Sequence, residues 1–359
     1  MATLNLPPVI TVAGNPNLTH IPPIYAFRNL SATTTDQKVS GNGAGEDQEP
    51  IPIIDLSLLT SGTPDQRTAV VLDLGNTCQE WGCFMVINHG IDEGLMNKMI
   101  DSCSEFFNLE QEEKRQYKGK HTLDPISCGT SVDASVTEVL FWRDYLRVLV
   151  HPEFHSPTKP SGFSEVLAEF TKAVRRVARD LLGGISESLG LDSSYIERAM
   201  NLDLSLQLLG ANLYPPCPQP ELAMGLPPHT DHGLLTVLVH NGVNGLQLQH
   251  KGMWVNTNII PGVLFVHVGD HLEVLTNGKY KSVVHRVQVN NKSTRISIAM
   301  PHGPSLDTVV SPAPELLENG CHRANYTGMK YKDYLEIQHR STLRGKTRLD
   351  LLKIKPELS

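Results

Sequence analysis

The spacing of apolar positions divides the chain into a helical first half and a β-rich second half. From Gly162 to Leu189, the residues Val166, Phe170, Val174, Val177, Leu181, Ile185 and Leu189 recur every three or four positions. That is the period of a helix with one buried stripe, and it predicts a single long amphipathic helix. Upstream, Thr63-Pro64-Asp65 offers an N-cap followed by proline at the first helical position, predicting a helix that runs to about Trp81. Ile51–Leu56 reads as a short first strand and Cys83–Asn88 as a buried one. A helix with Leu95, Met99, Cys103, Phe106 and Phe107 on one side follows. Within Thr137–Val150, strand alternation puts Tyr145 and Arg147 on one face and Trp142 and Asp144 on the other.

Beyond Leu204, short β-favouring runs alternate with turn residues. They are Leu204–Tyr214, Leu234–Val239, Gly245–Gln249, Trp254–Asn256, Val263–Val268, His271–Leu275, Ser282–Val289 and Thr294–Met300. Asn241-Gly242 and Asn277-Gly278 are hairpin signals. Many short strands at this spacing mean a sandwich or barrel. The fold expected is α+β, a double-stranded β-helix (jelly roll) core flanked by N-terminal helices that include the long one. The expected divisions are a loose arm over 1–49, a mostly helical region over 50–200, the jelly-roll core over 201–310, and a C-terminal helix and tail over 311–359. The stretch 119–136 is expected to be a pocket lid.

Composition narrows the function. The 359 residues carry a net charge of −7 and a pI near 6.1, which argues against nucleic-acid and anionic-membrane partners. No apolar run approaches a membrane span. No signal peptide is read, so a cytoplasmic monomer acting on a small molecule is expected. The six cysteines are scattered without a Cys-x-x-Cys and read as reduced thiols, with Cys217 the one to watch for oxidation.

The chemistry concentrates in Pro227–Val239. His229 and Asp231 stand two apart at the mouth of a strand-like run, so both side chains share a face. They supply two thirds of a 2-His-1-carboxylate triad, the arrangement that holds Fe(II) and leaves coordination positions open. Two other His-x-Glu pairs exist, His151–Glu153 in a Pro-rich connector and His271–Glu273 in a strand-like run. In the first nothing fixes both side chains on one side, and the second has His285 only one tight turn away, which leaves little chain to build a cavity between the ligands. His285, in an otherwise apolar alternating strand, offers the third ligand, since an unpaired buried imidazole carries a desolvation cost. A satisfied core histidine is the plain alternative. Downstream, Arg295 and Ser297 again share one face, and a guanidinium facing a barrel interior suits a carboxylate.

These residues carry a family resemblance. His229-Thr-Asp231, His285 and Arg295-x-Ser297, with Asn212-Leu-Tyr214-Pro-Pro-Cys-Pro upstream, resemble the plant Fe(II)- and 2-oxoglutarate-dependent dioxygenases. Trp81-Gly-Cys-Phe-Met-Val-Ile-Asn-His-Gly, Trp142-Arg-Asp-Tyr and Gly269-Asp-His-Leu-Glu extend the likeness over roughly residues 50 to 340. The resemblance implies that His229, Asp231 and His285 are metal ligands and catalytic residues. It also implies that Arg295 and Ser297 hold the distal carboxylate of 2-oxoglutarate, with Tyr214 and Asn212 assisting. The implied cofactor and cosubstrates are Fe(II), 2-oxoglutarate and O₂, with ascorbate as a stimulant. The implied reaction oxidises a plant specialised metabolite or hormone and releases succinate and CO₂. Tyr145, Arg147 and Pro301 stand where the substrate pocket is expected. Related flavonoid enzymes usually carry an aromatic residue after the Arg-x-Ser strand, where this chain has Ala299-Met300-Pro301-His302-Gly303. That points to a pocket with less aromatic stacking and a cationic edge, which suits a bulky or oxygenated ligand. Two alternatives stay open: an oxidase of the same fold that needs no 2-oxoglutarate, and a non-catalytic jelly-roll binding protein.

Overall fold

A computed structural model describes residues 7–27, 49–119, 121, 123–131, 139–317, 323–340 and 348–355. In chain order the first elements are α1 (Val9–Ala13), β1 (Ile53–Asp55), α2 (Leu56–Ser61), α3 (Pro64–Glu80), β2 (Cys83–Ile87), α4 (Glu93–Asn108) and α5 (Gln111–Arg115). Next come β3 (Ile126–Thr130), β4 (Asp144–His151), α6 (Phe163–Ser188), α7 (Tyr195–Met200) and β5 (Ser205–Tyr214). The second half holds β6 (Leu226–His229), β7 (Leu235–His240), β8 (Leu246–His250), β9 (Met253–Asn256), β10 (Leu264–Val268), α8 (Asp270–Leu275), β11 (His285–Val287) and β12 (Arg295–Ser305). The chain ends with β13 (Val309–Val310), β14 (Met329–Lys330) and α9 (Tyr331–Arg340).

A larger sheet runs in the order β1-β2-β10-β7-β12-β5-β4-β3, and a smaller one in the order β6-β11-β8-β9. One face of the larger sheet packs on helices. Leu146, Val148 and Val150 of β4 join Phe170, Val174, Val177 and Leu181 of α6 in one continuous apolar cluster with α3 and α4. Burying each of these side chains contributes roughly 1.5–3 kcal/mol. The other face meets the smaller sheet through Met85, Leu238 and Phe265 against Leu246, Leu248 and Val287. The helix predicted from the 63–66 signature starts as its sequence implies: Thr63 and Gln66 close a reciprocal capping box ahead of Pro64. Among the described residues no helix is long and apolar enough to cross a membrane.

The structure corrects several expectations. The run His271–Leu275 is not a strand but part of α8, and every residue of that helix is buried. Its five apolar and polar positions are too few to separate the two periods. Asn241-Gly242 joins β7 in one sheet to β8 in the other, so it turns a corner rather than a hairpin. Asn277 and Gly278, at φ 52° and 84°, reverse the chain after α8 instead of joining paired strands. Within Ser282–Val289 only His285–Val287 is strand, because the Ser282 amide is taken by Glu273 Oε2 at 2.6 Å. Part of the proposed lid, Ile126–Thr130, is a regular strand paired with β4; residues 120, 122 and 132–138 lie outside the described residues.

The N-terminal arm is not loose over residues 7–27. Val9 and Tyr25 are buried, and the Val9 and Ile10 amides donate to the two oxygens of the Asp144 carboxylate at 2.9 and 2.8 Å. Backbone donors reaching a carboxylate far along the chain leave no trace in composition, which is why this segment reads as solvated. Residues 28–48 lie outside the described residues. Cys217 is likewise fully buried, and burial pushes its thiol up to about 11, so it is a poor candidate for oxidation.

Two buried imidazoles set a pH limit on this fold. Burial lowers His271 and His302 from an ordinary value of 6.5 to about 3. Each is then neutral when folded but takes up a proton when unfolded below pH 6.5, so stability is full above that value and declines as pH falls toward 3. Urea denaturation between pH 7 and 4 is expected to show this loss. In His302→Asn the slope of unfolding free energy against pH should flatten by up to about 1.4 kcal/mol per pH unit; an unchanged slope would contradict the assignment.

Candidate metal and cosubstrate site

The register of the larger sheet assembles one polar wall. Arg295 pairs with Tyr214, Ser297 pairs with both Asn212 and His240, and Asn212 pairs in turn with Tyr145. Directly paired residues of neighbouring strands project to the same side. Alternation adds Arg147 from β4, and the pairs Pro301–Thr236 and Thr236–His267 extend the row into β10. All the residues expected to bind cosubstrate or substrate therefore lie on the face turned toward the smaller sheet.

The smaller sheet brings the remaining groups. β11 and β6 pair so that His285 lies directly opposite His229, with ring centroids 4.2 Å apart. Asp231 follows on the loop after β6, its Oδ1 3.8 Å from His229 Nε2 and 3.6 Å from His285 Nε2. One donor atom from each of the three lies within 4.8 Å of the others. His151–Glu153 and His271–Glu273 form no such group among the described residues. His271 Nδ1 turns to the His232 carbonyl, while Glu273 accepts from the Ser282 amide and the Tyr326 hydroxyl.

The protonation and tautomer states suit a cation. His229 Nδ1 lies 2.8 Å from the Pro227 carbonyl and His285 Nδ1 3.1 Å from that of Val283. Each Nδ1 donates to its carbonyl, which leaves the Nε2 lone pair facing the cluster. Burial keeps both imidazoles below their ordinary range and hence neutral. Burial disfavours the charged form of Asp231, but any proton shared within this coupled group settles on a surrounding imidazole (His285, His267 or His229) before it settles on the carboxyl, which is held well below its usual range. A carboxylate and two neutral imidazoles with free Nε2 atoms are the donor set that Fe(II) takes on one face.

Arg295 supplies the second half of the site. It is 2% exposed, donates from Nη1 to Ser297 Oγ at 2.9 Å, and lies over the Tyr214 ring at 5.3 Å. Its Nε has no partner, and burial lowers its pKa with only Tyr214 opposing. No carboxylate among the described residues neutralises it. A buried guanidinium in this state is incomplete without an anion. Gly245, at φ 154°, leaves room for it, since a Cβ there would sit 3.2 Å from Arg295 Cδ.

The loop carrying Asp231 is pinned from behind by α8. The first amides of that helix, which have no intrahelical acceptor, donate to loop carbonyls: Asp270 to Asp231 at 2.8 Å and His271 to Gly233 at 3.1 Å. A side chain at Gly269 would collide with the Gly233 carbonyl. The Asp270 carboxylate, pushed up to about 6 by burial, accepts from Thr230 Oγ1 at 3.2 Å and from Tyr334 of α9 at 2.7 Å.

Known proteins give this geometry its family. Residues 205–304 match the 2OG-Fe(II) oxygenase superfamily, and residues 51–168 match the N-terminal region described as non-haem dioxygenase in morphine synthesis. The rice (Oryza sativa subsp. japonica) protein named 2-oxoglutarate-dependent dioxygenase 19 is 42% identical over 316 residues, covering 88% of this chain and 94% of that protein. The chain belongs to the 2OG-Fe(II) oxygenase superfamily. Another relative, the Arabidopsis thaliana protein DMR6-LIKE OXYGENASE 1, is 36% identical and spans 93% of this chain and 94% of its own length. Among solved structures, JOX2 in complex with 2OG, Fe and JA superposes with a TM-score of 0.84 at 27% identity, over 98% of both chains. With that family come the jelly-roll fold of its solved structures and the use of Fe(II), 2-oxoglutarate and O₂ by a 2-oxoglutarate-dependent dioxygenase.

Two residues beside the candidate site escape a sequence reading. His267 lies in the β10 run, 1% exposed, with its ring beside His285. Its only signal is the one His285 gives, an imidazole in an apolar strand. Arg143 donates from Nη1 to Asn212 Oδ1 at 2.6 Å, so Asn212 is already engaged by a cation on its own wall. Arg147 donates to the His121 carbonyl at 3.3 Å, and burial lowers its pKa against the opposing influence of Tyr145 and Asp124. Removing the hydroxyl that supports the ligand loop has a cost that can be measured. Tyr334→Phe, which leaves Asp270 buried with one donor fewer, is expected to destabilise the oxygenase by about 1.5–3 kcal/mol in urea denaturation. A change below about 0.5 kcal/mol would show that α9 does not support the loop.

Proposed function

We propose that His229, Asp231 and His285 hold Fe(II) and that Arg295 and Ser297, backed by Tyr214 and Asn212, bind the distal carboxylate of 2-oxoglutarate. On this reading the oxygenase oxidises a C–H bond of a small plant specialised metabolite or hormone, by hydroxylation or a related oxidation. The observation that carries it is the pairing, on facing walls, of a metal-ready His-Asp-His cluster with a buried guanidinium that lacks an anion. When bound, the ferrous ion supplies the redox chemistry that couples oxidative decarboxylation of 2-oxoglutarate by O₂ to substrate oxidation, releasing succinate and CO₂.

The chain's own contribution is positional. The carbonyls of Pro227 and Val283 orient the two imidazoles, and α8 fixes the backbone at Asp231. Arg295 sets the far end of the cosubstrate, and burial of this wall keeps bulk water from competing for the guanidinium. Tyr145, Arg147 and Pro301 share the wall and form the proposed substrate edge, with Arg143 beside them. Two cations and a tyrosine there favour an oxygenated ligand. The same reading takes residues 201–310 as the core that carries the chemistry.

The test is succinate release from 2-oxoglutarate with Fe(II) and a panel of oxygenated plant metabolites. Release is expected to vanish in His229→Ala. The KM for 2-oxoglutarate is expected to rise about 100-fold or more in Arg295→Met, because truncating one partner of a buried charge pair costs several kcal/mol. Turnover that persists in His229→Ala, or a KM within twofold of wild type in Arg295→Met, would remove this reading.

A further inference from the structure

The two oxygens of Asp231 face different neighbours. Oδ1 is the oxygen close to His229 Nε2 and His285 Nε2, at 3.8 and 3.6 Å. Oδ2 faces His267 Nδ1 at 3.4 Å. At that separation the contact is electrostatic rather than a short hydrogen bond. His267 has no other polar engagement: neither ring nitrogen has a hydrogen-bond partner, and both are shut off from solvent. Its ring is nonetheless fixed in place. It stacks on His285, centroids 4.2 Å apart and planes 27° apart, and meets the Phe265 ring edge to face at 5.0 Å and 72°.

A buried imidazole with no polar partner carries a desolvation cost that a purely apolar side chain would not. The strand around it, Leu264-Phe265-Val266-His267-Val268, is otherwise apolar. Its direct cross-strand partner Thr236 is also buried with an unpartnered hydroxyl, so the neighbouring strand does not compensate. The one charged group it meets is the Asp231 oxygen that does not face the two other imidazoles.

We propose that His267 is a positioning residue that holds Asp231 Oδ2 through Nδ1–H, so that the carboxylate presents Oδ1 alone to the metal. The inference rests on the proposed His229-Asp231-His285 site. An unrestrained carboxylate rotates about its Cβ–Cγ bond and offers either oxygen or both. A donor on Oδ2 removes that freedom before the cation arrives. Outer partners of this kind typically change metal affinity 10- to 100-fold when removed.

The two ring nitrogens can be told apart by substitution, because asparagine carries its amide nitrogen near the position of Nδ1 and glutamine near that of Nε2. Fe(II) binding is measured anaerobically by isothermal titration calorimetry on wild type, His267→Asn, His267→Gln and His267→Phe, with the thermal melt of each metal-free protein as a check on folding. The expected result is Fe(II) affinity within about threefold of wild type for His267→Asn and a loss of about 10- to 100-fold for His267→Gln and His267→Phe. If His267→Phe does not fold, the comparison of asparagine with glutamine decides. Equal affinity in all variants, or an equal loss in asparagine and glutamine, overturns the role of His267 while leaving the metal site standing. Wild-type protein that binds no Fe(II) overturns both.

Discussion

A carboxylate and two imidazole lone pairs directed at one point repel one another unless a cation sits between them, so the fold has to hold all three in place against that repulsion. The smaller sheet fixes His229 opposite His285 by register. The loop between β6 and β7 would be free to carry Asp231 away, and α8 prevents this by spending its first amides on the loop carbonyls. Much of the architecture around β6 can be read as resistance to that repulsion. The short helix is fully buried, its aspartate is tied to Thr230, and Tyr334 reaches in from the C-terminal helix to close the network.

The same economy governs the facing wall. The larger sheet has one side sealed by α3, α4 and α6 with nearly uninterrupted apolar packing. Its other side accepts buried polar atoms without partners: Thr236 Oγ1, both nitrogens of His267, Arg143 Nε and Arg295 Nε. A fold selected for stability alone would not place these together, and such groups concentrate where ligands are held. The helical layer supplies the stability that lets the opposite face of the same strands remain unsatisfied.

Much of this was legible in the chain. The i, i+2 spacing of Arg295 with Ser297 carries over into a shared face because strand alternation is strict; Asp231 converges with His229 from the loop just past the end of β6, so there the spacing succeeds without the alternation. The long amphipathic stripe identifies the residues that pack on the sheet, with Val166 and Leu189 only partly buried at its margins. What could not be read depended on contacts remote in sequence. Six residues of α8 sit too close to the limit between strand and helix periods to be told apart. His267 acquires meaning only because β10 lies beside β7 and beneath the triad. The pairing of Arg143 with Asn212 needs the register of β4 on β5, which no local pattern encodes.

The seat of the N-terminal segment has a further consequence. Val9 and Ile10 close over Asp144, which also accepts from Thr130 Oγ1 at 2.6 Å. Val9 and Ile10 thus have their anchor more than a hundred positions later, on a strand that must itself be paired before the anchor exists. During vectorial synthesis this segment has no native place until β4 has emerged, so it docks late in assembly.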